Sequence, residues 1–262
     1  MLDLAEIKKF YPENLRKFER QILREYWQCQ ILSIIYDRLS GRDLVFLGGT
    51  ALRIVYGNQR FSEDLDFDNR GLDFDNFQAL STEIKKKLEQ EGLTVEIKTV
   101  ARGAFRCYLK ISQLLFKEGL LPLSREQLTI QIDASPQNYH FVPEITTLDK
   151  FDVYTKIKVA PASLILAQKI YCLFNRQRRM GRDFFDVSFL IKNQGVKPDF
   201  NYLTEKMGIS SAKQLVLKLK EGLAEVDFNQ LAAETEPLLI DPSHRARITQ
   251  FYSDVVESWP EP

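Results

Sequence analysis

The sequence predicts an α+β half followed by a helical half, with the division at residues 158/159. Three observations carry that expectation. Leu128-Thr-Ile-Gln-Ile-Asp133 alternates apolar and polar side chains, the period of a half-buried strand. Upstream of it, apolar residues recur at three- and four-residue steps in segments separated by short apolar runs, which mixes helices with strands. Beyond Pro161 nearly every segment has the helical period, and the proline itself suits a first turn.

Element by element, Leu15, Phe18, Ile22, Tyr26, Ile31 and Ile35 predict an amphipathic helix that ends near Gly41 and covers one side of a sheet. Residues 44–47 form a short apolar strand, Gly48-Gly49 breaks it, and residues 50–56 form a helix closed by Gly57. A second strand carries Asp64 and Asp66. Residues 74–90 are helical, with Phe77, Leu80, Ile84 and Leu88 on the inner stripe and Gly92 as the stop. Residues 93–100 and 105–111 pair as strands through a turn at Arg102-Gly103, and Leu128–Asp133 is a further strand. The stretch 136–159 reads as an irregular connection and as the domain boundary. Helices follow at 162–175, 182–192, 211–221, 228–234 and 244–257.

Composition narrows the class. With 262 residues, 44% of them hydrophobic, the chain can bury a full core. Its 36 basic and 36 acidic side chains cancel, so net charge gives no reason to expect nucleic acid or membrane as a partner. The charges are unevenly placed, however. Acids cluster between Glu63 and Asp75, and bases cluster between Lys150 and Arg182. Cys29, Cys107 and Cys172 are far apart and only His140 and His244 could assist them, which argues against a zinc site or a disulfide framework. No basic-then-apolar leader opens the chain and no apolar run reaches membrane-spanning length, so the cytoplasm is the expected compartment.

The chemistry concentrates in Phe46-Leu-Gly-Gly-Thr-Ala-Leu-Arg53 and Arg60-Phe-Ser-Glu-Asp-Leu-Asp-Phe67. If Leu65 and Phe67 face a core, period-two geometry turns Asp64 and Asp66 together to the other face, joined there by Ser62 and Asp68. Like charges so close call for a compensating cation, and the spacing reads as a Mg²⁺ site. Asp133, at the polar end of another strand, would complete a two-metal set or take a proton from an acceptor. Gly48, Gly49 and Thr50 join a strand to a helix start, where backbone N–H groups and the helix dipole favour a phosphate. Ser62, beside the metal-binding pair, is a further nucleotide contact. Lys169 and Arg176, seven apart on one predicted helix, share a face that could hold a triphosphate. Asp183 and Asp186 share the next helix's face and could bond that cationic pair or cap the helix.

Gly48-Gly49-Thr50, Arg60-Phe-Ser-Glu-Asp-Leu-Asp66, Lys169 and Arg182-Asp-Phe-Phe-Asp186 together resemble, in order, the four motifs of the AbiEii/AbiGii-type nucleotidyltransferase toxins. Those toxins sit in the DNA polymerase β-like nucleotidyltransferase superfamily. The resemblance implies a mixed sheet flanked by helices, with a nucleotidyltransferase domain over 1–158 and a helical domain over 159–262. It implies Mg²⁺-dependent transfer of a nucleoside monophosphate from an NTP to an RNA acceptor, the tRNA 3′ end foremost. By the same carry-over Gly48 and Thr50 hold phosphate, Asp64 and Asp66 bind metal, Lys169 contacts the triphosphate, and Asp183 is the fourth-motif acid. A toxin–antitoxin pairing follows, with a cognate antitoxin as partner. Two rival readings are transfer to a small molecule or protein side chain, and a non-catalytic nucleotide-binding module.

Overall fold

The computed structural model describes residues 1–120 and 126–259. The chain divides into two compact units, Met1–Ala51 with Ser62–Ala160 and Leu52–Phe61 with Pro161–Pro262. This differs from the expected division into two consecutive halves. Residues 52–61 fold with the helical unit because Asn58 and Arg60 bond side chains there, a long-range choice that no local periodicity encodes.

The first unit opens with α1 (Leu4–Lys9) and α2 (Glu19–Tyr36), then β1 (Leu44–Leu47) and the start of α3 (Gly48–Ile54). It continues with β2 (Leu65–Asn69), α4 (Phe74–Gln90), β3 (Thr94–Ala101), β4 (Phe105–Ser112), α5 (Leu114–Lys117) and β5 (Leu128–Ser135). A hairpin of β6 (Glu144–Lys150) and β7 (Val153–Val159) completes it. The seven strands form one mixed sheet in the order β3-β4-β5-β2-β1-β7-β6. The β2–β5 and β1–β7 pairs are parallel and the others antiparallel. Helix α2 packs on β5 and β7, and α4 packs on β3, β4 and α2. Into that layer point Ile22, Tyr26, Cys29, Phe77, Ile84 and Leu88, all nearly inaccessible.

The β6–β7 hairpin replaces the irregular connection expected over 136–159. Leu148 is the one buried side chain of β6, so this edge strand lacks the alternation by which strands announce themselves. Strand β2 begins at Leu65, so Asp64 stands just before the strand instead of inside it. The short α1 also lay outside the sequence expectation; Asp3 and Glu6 close it with reciprocal side-chain to backbone bonds.

The second unit contains α6 (Ala162–Asn175), α7 (Gly181–Ser188), α8 (Phe200–Met207), α9 (Ala212–Leu223), α10 (Phe228–Thr235) and α11 (Ala246–Thr249). Wider π-type turns continue α7 over Phe189–Asn193 and form Tyr252–Glu257, where the sequence predicts unbroken α-helix. Helix α7 packs on α6, α10 and α11. Phe184 meets Phe228 and Phe251 edge-on, with ring centroids 5.5 and 5.0 Å away. Gly181 permits the approach of α7 to α10: a Cβ there would lie 2.0 Å from the Leu231 carbonyl oxygen. No helix among the described residues is long and apolar enough to cross a membrane.

Candidate active site

In the first unit the sheet register assembles a row of side chains across four strands. Leu47 of β1 pairs with Asp66 of β2, Asp66 with Asp133 of β5, and Asp133 with Arg106 of β4. Register partners on neighbouring strands lie about 4.8 Å apart in the hydrogen-bonding direction and project to the same face. Leu65, Phe67, Ile132 and Ala134 are buried on the core side, so the intervening Asp66 and Asp133 face the opposite way and are half-buried.

Gly48 is fixed by two demands at this row. Its φ of +79° suits glycine. A Cβ there would also stand 2.4 Å from Asp66 Oδ2, so the missing side chain makes the room in which the carboxylate sits. Thr50 is fully buried, and its hydroxyl donates to the Asp64 carbonyl oxygen. Gln28 Nε2 donates to the carbonyl oxygens of Ser62 and Glu63 at 3.1 and 2.9 Å. The backbone leading into the acidic strand is therefore pinned from two helices. Thr50, expected on a phosphate oxygen, instead positions Asp64 because burial removes its hydroxyl from reach of a ligand.

Asp133 is held on both sides. Its Oδ2 accepts from Gln131 Nε2 at 2.7 Å, and Arg106 Nε stands 3.1 Å from Oδ1. That Oδ1 is buried and accepts no hydrogen bond. Asp68, expected on the same face, belongs to the strand's far end, where it pairs with Arg70 at 3.0 Å and accepts from the Gln137 N–H at 2.9 Å.

The expected set of three converging carboxylates is not a ready-made cage: among the described residues, no group of three or more His, Cys, Asp or Glu side chains could by itself hold a metal ion. The donor set nonetheless fits Mg²⁺. This ion is commonly bound by one or two carboxylates plus substrate phosphates and water, not by an all-protein cage. A carboxylate seated in a glycine cradle, beside a second one whose buried Oδ1 is ion-paired but accepts no hydrogen bond, supplies such a partial site.

The second unit contains a separate buried ion-pair network. Arg60 grips Asp186 with two parallel bonds, Nε to Oδ1 and Nη2 to Oδ2, both 2.7 Å. Asn58 Nδ2 adds a third donor to Oδ1 at 2.7 Å. Lys169 Nζ lies 2.9 Å from Asp183 Oδ1 and 2.9 Å from Asp186 Oδ2, and Arg176 Nε stands 3.0 Å from Asp183 Oδ2. Burial disfavours the charge on Asp186, yet Arg60 and then Lys169 outweigh it and hold the carboxyl at about 2. Burial likewise opposes the charge on Lys169, and Asp183 and Asp186 raise its pKa above the ordinary lysine value against a smaller push from Arg60.

Asp183 and Asp186 thus bond the cationic pair, one of the two alternatives open in the sequence. The expectation that Lys169 meets a triphosphate does not fit its surroundings, because the residue is 8% exposed and its ammonium is already matched by two carboxylates. Arg176 is more open, and with Phe174, Gln177, Arg179 and Gln230 it lines a cleft of about 500 Å³. Sequence reasoning assigned no role to Arg106, Gln131 or Asn58, and gave Arg60 only as part of a motif. Gln131 could have been found by stepping the strand period back two residues from Asp133; Arg106, Asn58 and Arg60 carry no such local signal.

Comparison with known proteins bears on both units. The profile of the family described as nucleotidyl transferase AbiEii toxin, Type IV TA system, matches residues 30–261. No curated protein matches the chain. Among solved structures, JHP933 from Helicobacter pylori is 19% identical with a TM-score of 0.55, over 91% of this chain and 93% of that one. A second H. pylori protein, provisionally assigned as a nucleotidyltransferase, is 18% identical with a TM-score of 0.57, over 93% and 99% of the two chains. At these identities the likeness shows the fold, and the fold is nucleotidyltransferase-like.

Proposed function

The chain belongs to the AbiEii nucleotidyl transferase toxin family, and from that premise we propose that it moves a nucleoside monophosphate from a Mg²⁺-bound NTP to an RNA hydroxyl, the tRNA 3′ end foremost. The observation that carries the reading is the Asp66–Asp133 register pair with Gly48 cradling the Asp66 carboxylate. Asp66 and Asp133 are the residues that would hold the cation, with Asp64 at the strand entry beside them. When bound, Mg²⁺ would neutralise phosphate charge and favour the ionised acceptor hydroxyl.

The protein's own part is positioning. Thr50 and Gln28 fix the backbone of residues 62–64, so the carboxylates meet the nucleotide without reorganising. Gly48 and Gly49 bring backbone N–H groups to a helix start where a phosphate fits, and Ser62 lies at the strand entry as a further nucleotide contact. Arg176 is the cation of the Lys169–Arg176 pair with exposure enough to meet a phosphate, while Lys169 and Asp183 hold the network from which it reaches out. An antitoxin is the partner that the family implies.

Incubation with each α-labelled NTP, Mg²⁺ and total RNA tests the reading. Label is expected on RNA, falling at least about a hundredfold in Asp66→Asn, the scale on which losing a transition-state charge contact is felt. Label on a small product or on protein would move the acceptor to the rival class. Unchanged transfer in Asp66→Asn would remove the assignment.

A further inference from the structure

Arg106 has no role in the proposed function, yet it completes the carboxylate row. It flanks Asp133 on one side as Asp66 does on the other, so the row runs anion, anion, cation across β2, β5 and β4. Its Nε lies 3.1 Å from Asp133 Oδ1 without forming an aligned hydrogen bond. The Arg106 side chain is 36% exposed and that of Asp133 23%, although the paired Oδ1 is itself buried. A misaligned ion pair whose cation is partly solvated is held weakly. A divalent cation brings twice the charge to the same oxygen and needs no angular alignment with it. Among the described residues Arg106 has no second side-chain partner. A guanidinium displaced from Asp133 therefore keeps its fork of donors for an oxyanion.

We infer that Arg106 is an exchangeable counter-ion: it neutralises Asp133 in the cation-free protein, yields Oδ1 to a divalent cation, and then donates to a phosphate oxygen of the incoming nucleotide. The inference rests on the reading of Asp66 and Asp133 as cation ligands. It gives Asp133 a resident counter-charge next to the neighbouring Asp66 carboxylate. It also couples the two ligands, because the nucleotide's partner becomes available only when the cation has arrived.

The full-length protein tests this in two ways. The arginine Nε–Hε resonance that disappears in Arg106→Lys reports the guanidinium directly. Saturating Mg²⁺ is expected to shift it toward its position in Asp133→Asn, and adding α,β-methylene nucleoside triphosphates should move it again. Calorimetry with Mn²⁺ is expected to show binding roughly two- to fivefold tighter in Arg106→Gln, the scale of one partly solvated ion pair removed as competitor. A resonance unmoved by Mg²⁺, or Mn²⁺ binding no tighter in Arg106→Gln, overturns the exchange. A shift with Mg²⁺ but none with nucleotide overturns its phosphate half. If neither the natural protein nor Arg106→Gln binds Mn²⁺, the underlying assignment of Asp66 and Asp133 fails instead.

Discussion

Position 48 shows how much one missing side chain can decide. A Gly-Gly turn after a strand is legible in sequence as a break, and Asp64 and Asp66 are legible as a carboxylate pair. What sequence could not supply is that Gly48 exists for Asp66: the carboxylate oxygen lies where a Cβ would be, 2.4 Å off. Gly48→Ala combines that clash with a left-handed backbone that alanine dislikes, so a loss of about 1–3 kcal/mol in urea unfolding is expected. Mn²⁺ binding should weaken with it, because Asp66 must turn away to admit the methyl group. Calorimetry showing unchanged Mn²⁺ affinity in this variant would mean the cradle does not shape the site. Thr50 carries the same lesson. Its type and place suggested a phosphate contact, and burial gave its hydroxyl to the Asp64 carbonyl instead.

Helices α6 and α7 are legible as elements, since Ala162–Asn175 and most of Gly181–Ser188 follow from helical periodicity and the proline before them. Their charged faces are legible only in part. Periodicity says that Lys169 and Arg176 share a side; it cannot say that Asp183 and Asp186 meet them there and that Arg60 arrives from a distant segment. Removing one member of such a buried network leaves the others uncompensated. Asp186→Asn and Lys169→Met are each expected to cost about 3–5 kcal/mol in urea unfolding, and the double variant less than their sum. Additive losses would show that the two residues do not act through one another. The β6–β7 hairpin marks the opposite limit, because an edge strand with a single buried side chain has no pattern to read.

For the whole molecule, zero net charge hides two buried balances that set its response to pH. The Asp186 carboxyl is held at about 2, below the unfolded value near 3.9. Its stabilisation is therefore complete above about pH 4–5 and is lost as pH falls through about 2. Lys169 runs the other way: its pKa is raised, so its contribution is complete below the unfolded value near 10.4 and is lost only as pH climbs past the raised one. Between pH 5 and 2 the natural protein should lose about 1–2 kcal/mol more than Asp186→Asn, read from urea midpoints at each pH. Equal acid losses would place the sensitivity elsewhere.

The sequence by itself determined the α+β and helical content, the glycine turn, the acidic strand and the order of the motifs that carry the family resemblance, because each is written in local spacing or residue type. Tertiary structure alone decided that residues 52–61 join the helical unit, that Lys169 is enclosed by carboxylates, and that Arg106 stands beside Asp133. Those outcomes depend on which strands and helices meet. Sheet register and buried charge pairing join residues far apart in the chain, and no local period records them.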